Sequence, residues 1–337
     1  MTRLLFISTK NRWFFRLTFL TILLALTIIV LSAYNRLSGA TFACPDWPYC
    51  FGTLSAPHTS AQLDVAIAKF PGINVDTSKI WFAMLERYLI VAESVLLISM
   101  TFMAMLIKRQ ISVRPFLICL ALLVLGAGQI FLNKLAITQK FSPLMMVGNL
   151  LNGLSILSFL WWVAQIARPN SYSFSHPSLK SLRPWAWLAL ILIVTQITFG
   201  GWLNYHTKNP QCKTFPYCSL QLTPSVDWQK TLHVSPKNSA PDTVAFLHSV
   251  HRVGALIAFF YLGLFSFLMM FNRYIYHIAF IIFLLLTSQF CMGMFELSWL
   301  PQSMAFISEH ALVAFLILSV VSLLVSLYDK PQDYWYG

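Results

Sequence analysis

His248, His251 and His310 fall inside long apolar runs, where an imidazole needs a hydrogen-bond partner or a metal because hydrocarbon offers neither. His248 and His251 are three residues apart and share a helix face. Two neutral imidazoles on different helices of a four-helix bundle can take both axial positions of a heme iron, with the porphyrin lying between the helices. His251 and His310 are the pair assigned to that task, and Arg252 supplies a cation for a propionate. The plainer alternative keeps them as buried histidines bonded to backbone, Glu309 or Gln289.

A second set of residues repeats. "ACPDWPYC" places Cys44 and Cys50 around five residues, and "CKTFPYC" does the same with Cys212 and Cys218. The plain reading of each is a small disulfide ring, Cys44–Cys50 and Cys212–Cys218, stiffened by proline. Cys50 precedes Glu86-Arg87 by 36 residues and Cys218 precedes His251-Arg252 by 33; from those pairs it is 63 residues to Asn149 and 59 to His310. Gln129 and Gln289 hold matching places between them. The amino-terminal half therefore carries Glu86 and Asn149 where the other half carries imidazoles, and Ala83 where it has His248. Two imidazoles cannot hold a heme there.

Glu86 is a carboxylate in an apolar run, which is costly to bury alone. Arg87 is the expected partner, although neighbouring residues on a helix point in different directions. Glu93, seven residues on, shares the face of Glu86 and raises a proton-handling or cation-binding strip as the alternative. His58, His206 and His233 fall in hydrophilic loops, His277 near a span end, and Cys119 and Cys291 in spans as packing residues.

The elements that must position these residues are membrane helices. Of 337 residues, 58% are hydrophobic and 10% charged, and apolar runs of spanning length occur near 14–33, 80–107, 115–133, 143–167, 183–204, 244–271, 274–295 and 303–327. The fold expected is an all-α membrane protein: eight transmembrane helices as a tandem repeat of two four-helix bundles, residues 1–170 and 171–337, with a Pro- and Ser-containing linker at 168–182. The net charge of +12 sits in short segments between spans, so it reads as loop charge facing lipid headgroups and excludes nucleic acid as the partner. "MTRLLFISTKNRWFFRL" runs into the first span without a cleavage site and is read as a cytoplasmic tail. Both termini are then cytoplasmic, and both long loops, 34–79 and 205–243, face an oxidising outer compartment. A bacterial inner (plasma) membrane suits this pattern.

The segments "LSAYNRLSGATFACPDWPYCFG", "PHTSAQLDVAIAKFPG", "SKIWFAMLERYL", "HSVHRVGAL" and "SEHALVAFLIL" resemble the heme A synthases of bacteria and mitochondria, in order and over nearly the whole chain. The resemblance implies oxidation of the heme O methyl group to the formyl of heme A, in two hydroxylation steps, for cytochrome oxidase assembly. It implies a heme b cofactor in the carboxy-terminal unit, on His251 and His310, and a substrate heme in the amino-terminal unit. It also implies a disulfide or redox-active dithiol in the first loop. Partners expected are heme O and heme A, the lipid bilayer, and a heme O synthase or terminal oxidase subunits. The family pattern has a glutamate where this chain has Ala83, and histidines where it has Glu86 and Asn149; Arg87 is kept. Glu86 is the residue available to take over catalysis. Two other readings stay open: a non-catalytic heme carrier or assembly factor, and a protein passing electrons between heme and loop thiols.

Overall fold

The computed structural model describes residues 2–57, 59–71, 75–107, 113–138, 143–167, 177–206, 241–295 and 302–328. Helix α1 (Thr2–Ser38) runs far beyond its apolar centre because nothing in its basic first turns breaks a helix. Gly39, at φ 74°, ends it with a left-handed turn that costs glycine little. The long first loop holds a helix that hydropathy alone does not show, α2 (Ser60–Lys69). Its start is fixed by a capping box: Thr59 Oγ1 accepts from the Gln62 backbone N–H at 3.3 Å, and Gln62 Oε1 accepts from the Thr59 N–H at 3.2 Å.

The remaining helices are α3 (Thr77–Ile107), α4 (Arg114–Thr138), α5 (Pro143–Ala167), α6 (Arg183–His206), α7 (Pro241–Met269), α8 (Tyr276–Phe295) and α9 (Gln302–Leu327). Asp76 caps α3, its Oδ1 accepting from the Ser78 hydroxyl at 2.6 Å and the Ser78 N–H at 3.1 Å. Prolines stand in the first turn of α4, α5, α6 and α7, where their missing N–H is not needed. Among the described residues, eight helices, all but α2, are long and apolar enough to cross a membrane. The protein is an all-α, multi-pass membrane protein.

Helix α1 packs on α3, α3 on α4, α4 on α5, and α5 returns to α1; likewise α6 packs on α7, α7 on α8, α8 on α9, and α9 returns to α6. The two rings meet along α1, α5, α6 and α9, and the most buried side chains lie at that seam, among them Phe14, Leu157, Leu160, Ala186, Ala314 and Leu323. Hydrogen bonds pin the seam where apolar contact alone would let helices slide in lipid. Trp161 Nε1 donates to Ser322 Oγ across it at 2.6 Å, and within the second ring Arg183 Nε donates to the Leu327 carbonyl at 2.9 Å. The outward faces carry exposed Phe, Leu, Ile and Val, as a lipid-facing surface requires.

Candidate functional site

Four helices, α1, α3, α4 and α5, line the cleft at Glu86. Glu86 sits half-buried on α3, and the fully buried Asn35 of α1 reaches across to it: Nδ2 donates to Glu86 Oε2 at 2.5 Å and to the Phe82 carbonyl at 3.2 Å. Ser32 lines the cleft beside the carboxylate, and the charge of Arg36 acts on it from the next turn of α1. These residues line a cleft of about 50 Å³ with Thr41, Trp47, Ala83, Arg87, Ile90, Asn133, Ala136, Ile137 and Asn149.

The expected pairing of Glu86 with Arg87 is not what forms. No ion pair joins them among the described residues. Consecutive helix residues diverge by about 100°, so Arg87 turns toward the first loop instead. There its Nη1 donates to the Pro48 carbonyl at 3.3 Å and to the Tyr49 carbonyl, while the Asp46 carboxylate acts on it as a counter-charge. That loop is a closed unit. Cys44 and Cys50, both buried, are joined by a disulfide. Asp46 Oδ1 and Oδ2 accept from the Phe51 and Gly52 N–H groups, each at 2.7 Å, across a turn in which both residues have positive φ. The Tyr88 hydroxyl donates to the Leu54 carbonyl at 2.5 Å. The disulfide ring is thus fastened to the helix that carries Glu86.

Asn149 faces the same cleft from α5 but is engaged elsewhere. Its Oδ1 accepts from Gln129 Nε2, and Gln129 Oε1 accepts from Asn152 Nδ2 at 2.7 Å. Asn152 also donates to the Leu125 carbonyl at 3.0 Å. A ladder of amides therefore ties α4 to α5 at the position where a second imidazole would be needed. Glu93 is buried on the face of Glu86 two turns deeper, at 6% exposure.

In the second ring, α6 and α7 touch at glycines. A methyl group placed on Gly200 would lie 3.1 Å from Cε1 and 3.6 Å from Nε2 of His251. One turn away, a methyl on Gly254 would lie 2.2 Å from Gln196 Nε2. Both glycines make room for a larger side chain on the facing helix. Four buried polar atoms here have no hydrogen-bond partner: His248 Nδ1, His251 Nδ1, Gln196 Oε1 and Gln289 Oε1. Buried groups of this kind are normally satisfied, so a cluster of them marks a place built for something further. Two ring nitrogens and two amide oxygens are a complementary set: an imidazole that gives one nitrogen to iron uses the other to donate to an oxygen. His310 stands half-buried on α9, at the opposite corner of the ring from α7. No group of three or more His, Cys, Asp or Glu that could hold a metal ion converges among the described residues.

Arg252 follows His251 on α7. Cys212, Cys218, His58 and His233 lie outside the described residues. Cys119 is buried and Cys291 exposed, both as thiols. Asn35, Ser32, Gln196 and Gly200 are site residues that the repeat spacing did not single out.

Comparison with known proteins decides what frame these residues belong to. A family model described as "Cytochrome oxidase assembly protein" matches residues 15–322. The chain belongs to this family. The match runs through both rings, so the cleft at Glu86 and the His251 cluster both lie inside the matched region. A curated relative from Shewanella oneidensis, named heme A synthase, is 27% identical over 330 residues, covering 95% of this chain and 98% of that protein. The resemblance read from the loop and helix motifs holds.

Proposed function

We propose that the protein is a heme A synthase-type oxidoreductase that oxidises the heme O methyl group to the formyl group of heme A, in two hydroxylation steps, for cytochrome oxidase assembly. The match to the cytochrome oxidase assembly family along residues 15–322 carries this reading. The full-length likeness to a protein named heme A synthase supports it.

The chain works as two four-helix units, residues 1–170 and 171–337, in a bacterial inner membrane with both termini cytoplasmic. The carboxy-terminal unit holds heme b between His251 and His310, with Arg252 facing a propionate and Gln196 and Gln289 receiving the imidazole N–H groups. The unpartnered Nδ1 atoms and the space that Gly200 leaves beside His251 fit that group. When bound, heme b supplies one-electron transfer. Cys212 and Cys218, by their sequence match to Cys44 and Cys50, pair as a second disulfide.

The amino-terminal unit receives the heme substrate beneath the Cys44–Cys50 ring. Arg36 and Arg87 offer two cations to the two propionates, and Glu86 is the single carboxylate in reach of the reacting end. A heme O synthase that delivers substrate, or an oxidase subunit that takes product, completes the path.

The test is expression in cells that make heme O but lack their own synthase, followed by heme extraction. Heme A and hydroxylated intermediates are expected. Folded, heme-loaded protein with neither product would remove the enzymatic reading and leave a heme-binding assembly factor.

A further inference from the structure

We propose that Glu86 is an iron ligand: its carboxylate oxygen binds the ferric iron of the porphyrin in the amino-terminal cleft, and no second protein ligand opposes it. The inference rests on the reading that this unit receives a heme substrate, and it names the donor that replaces imidazole.

The first argument is placement. Glu86 holds the place in its unit that His251 holds in the other, by order and by spacing from the loop cysteines. The helix facing each position differs accordingly. Against His251 stands Gly200, which leaves room for the ring; against Glu86 stands Asn35, which fills that room and holds Oε2 at 2.5 Å. A site that had merely lost its ligand needs no buried amide to orient the replacement, and an apolar side chain would cost less in a membrane.

The second argument is valence. An ionised carboxylate offers about four lone-pair positions, and Asn35 takes one. Glu86 remains half-exposed and turned to the cleft. Across the cleft, Asn149 has its oxygen engaged by Gln129. Hence one anionic oxygen is available to iron and no opposing donor.

The third argument is chemistry. A carboxylate is a hard, weak-field ligand that favours the ferric state, as anionic oxygen does in the tyrosinate-ligated hemes. Five-coordinate, high-spin iron follows. A bare divalent cation suits the cleft less, because Arg36 and Arg87 line it too and outnumber the single carboxylate. At about 50 Å³ the cleft as it stands is far smaller than a porphyrin, so uptake requires its walls to move apart.

The experiment titrates the purified full chain, with its resident heme in place, with hemin and reads optical and electron paramagnetic spectra. One further equivalent is expected to bind with a high-spin ferric signature. Glu86→Gln, which preserves shape, should lose at least about ten-fold in hemin affinity while leaving the resident heme spectrum unchanged, which also reports folding. Asn35→Leu should weaken hemin binding in the same direction, Glu93→Gln should not, and Glu86→His with Asn149→His should give a low-spin second heme. Failure to take up a second heme, a low-spin second heme in the unaltered protein, or unaltered affinity in Glu86→Gln would each overturn the proposal. Because the readout needs no turnover, a chain that binds hemin through Glu86 but makes no heme A refutes the enzymatic reading alone. One that makes heme A with Glu86→Gln binding unchanged refutes the ligand alone.

Discussion

The Asn35 amide and the Glu86 carboxylate, 51 residues apart in sequence, meet at 2.5 Å across the packed faces of α1 and α3. Their counterparts by contact are Gly200 and His251, where the first helix of the other ring withdraws rather than reaching out. The difference is one of ligand chemistry. An imidazole is bulky and neutral and needs space; a carboxylate is charged and needs donors before it can be held in a membrane.

Ligation in the carboxy-terminal unit is directly measurable. The purified chain should carry one b-type heme, lost or converted to high-spin by His251→Ala or by His310→Ala. Asn149→Ala should leave that heme untouched, since Asn149 belongs to the amide ladder of the other ring. A hemochrome assay with low-spin quantification decides the point, and two low-spin hemes in the unaltered protein would contradict it.

The Gly200–His251 contact predicts a size threshold. Gly200→Ala adds a methyl 3.1 Å from His251 Cε1, so the ring must yield by a few tenths of an ångström. Gly200→Val or Gly200→Leu overfills the gap, with a cost of about 1–3 kcal/mol typical of such overpacking. Heme loading and thermal midpoint should fall stepwise through the series. Full loading in the leucine variant would show that helix α6 does not define the pocket.

Much of this was legible in the sequence, for physical reasons. Uninterrupted apolar runs can only be membrane helices, so eight spans were readable; cysteine spacing and the Glu-Arg and His-Arg pairs marked the two candidate sites. What could not be read were contacts between residues far apart in the chain. Arg87 looked like the partner of Glu86 because it is adjacent, yet it serves the loop carbonyls of Pro48 and Tyr49. Asn35 gave no signal of its own, being one polar residue near the end of a span, where many polar residues simply meet water. Helix α2 escaped because its ten residues are too few to register as a span and its start depends on a capping box rather than on hydropathy.

The amide ladder predicts an asymmetric mutational response. Gln129→Leu leaves the Asn149 oxygen unmatched, at about 1–3 kcal/mol for a group left without a partner, while Asn152 keeps only the Leu125 carbonyl. Replacing Gln129, Asn149 and Asn152 together with apolar residues should recover much of that loss, since no orphaned amide remains. Denaturation monitored by tryptophan fluorescence in detergent checks it; additive losses across the three substitutions would mean that the ladder is not a unit.

Asp76 predicts a pH response at the start of α3. Hydrogen bonds from the Ser78 hydroxyl and the Lys79 backbone hold its carboxyl below the ordinary value of 3.8. A depressed value in the folded state contributes stability that is present above the unfolded value and lost as pH falls through the folded one. The first turn of α3 should therefore fray below about pH 4, seen as faster amide exchange at Ser78 and Lys79. Asp76→Asn, which can still cap but does not titrate, should flatten the dependence.

The fastening of the Cys44–Cys50 ring to Arg87 predicts that loop redox state and the Glu86 cleft are coupled. The disulfide closes a short loop, worth about 2 kcal/mol in the chain-entropy account. Arg87 donates to carbonyls inside that ring, so reduction or Cys44→Ala/Cys50→Ala frees both the loop and the guanidinium that lines the cleft. Arg87→Ala alone should likewise loosen the loop, and a double-mutant cycle between Arg87→Ala and the cysteine pair should show an interaction of about 0.5–3 kcal/mol, the range for contacting groups. Proteolytic nicking between Pro45 and Thr53, measured in oxidised and reduced protein, reports the loosening, and resident heme absorbance reports that the carboxy-terminal unit is intact. Strict additivity in that cycle would show that the ring is only a lid, with no mechanical hold on the helix that presents Glu86.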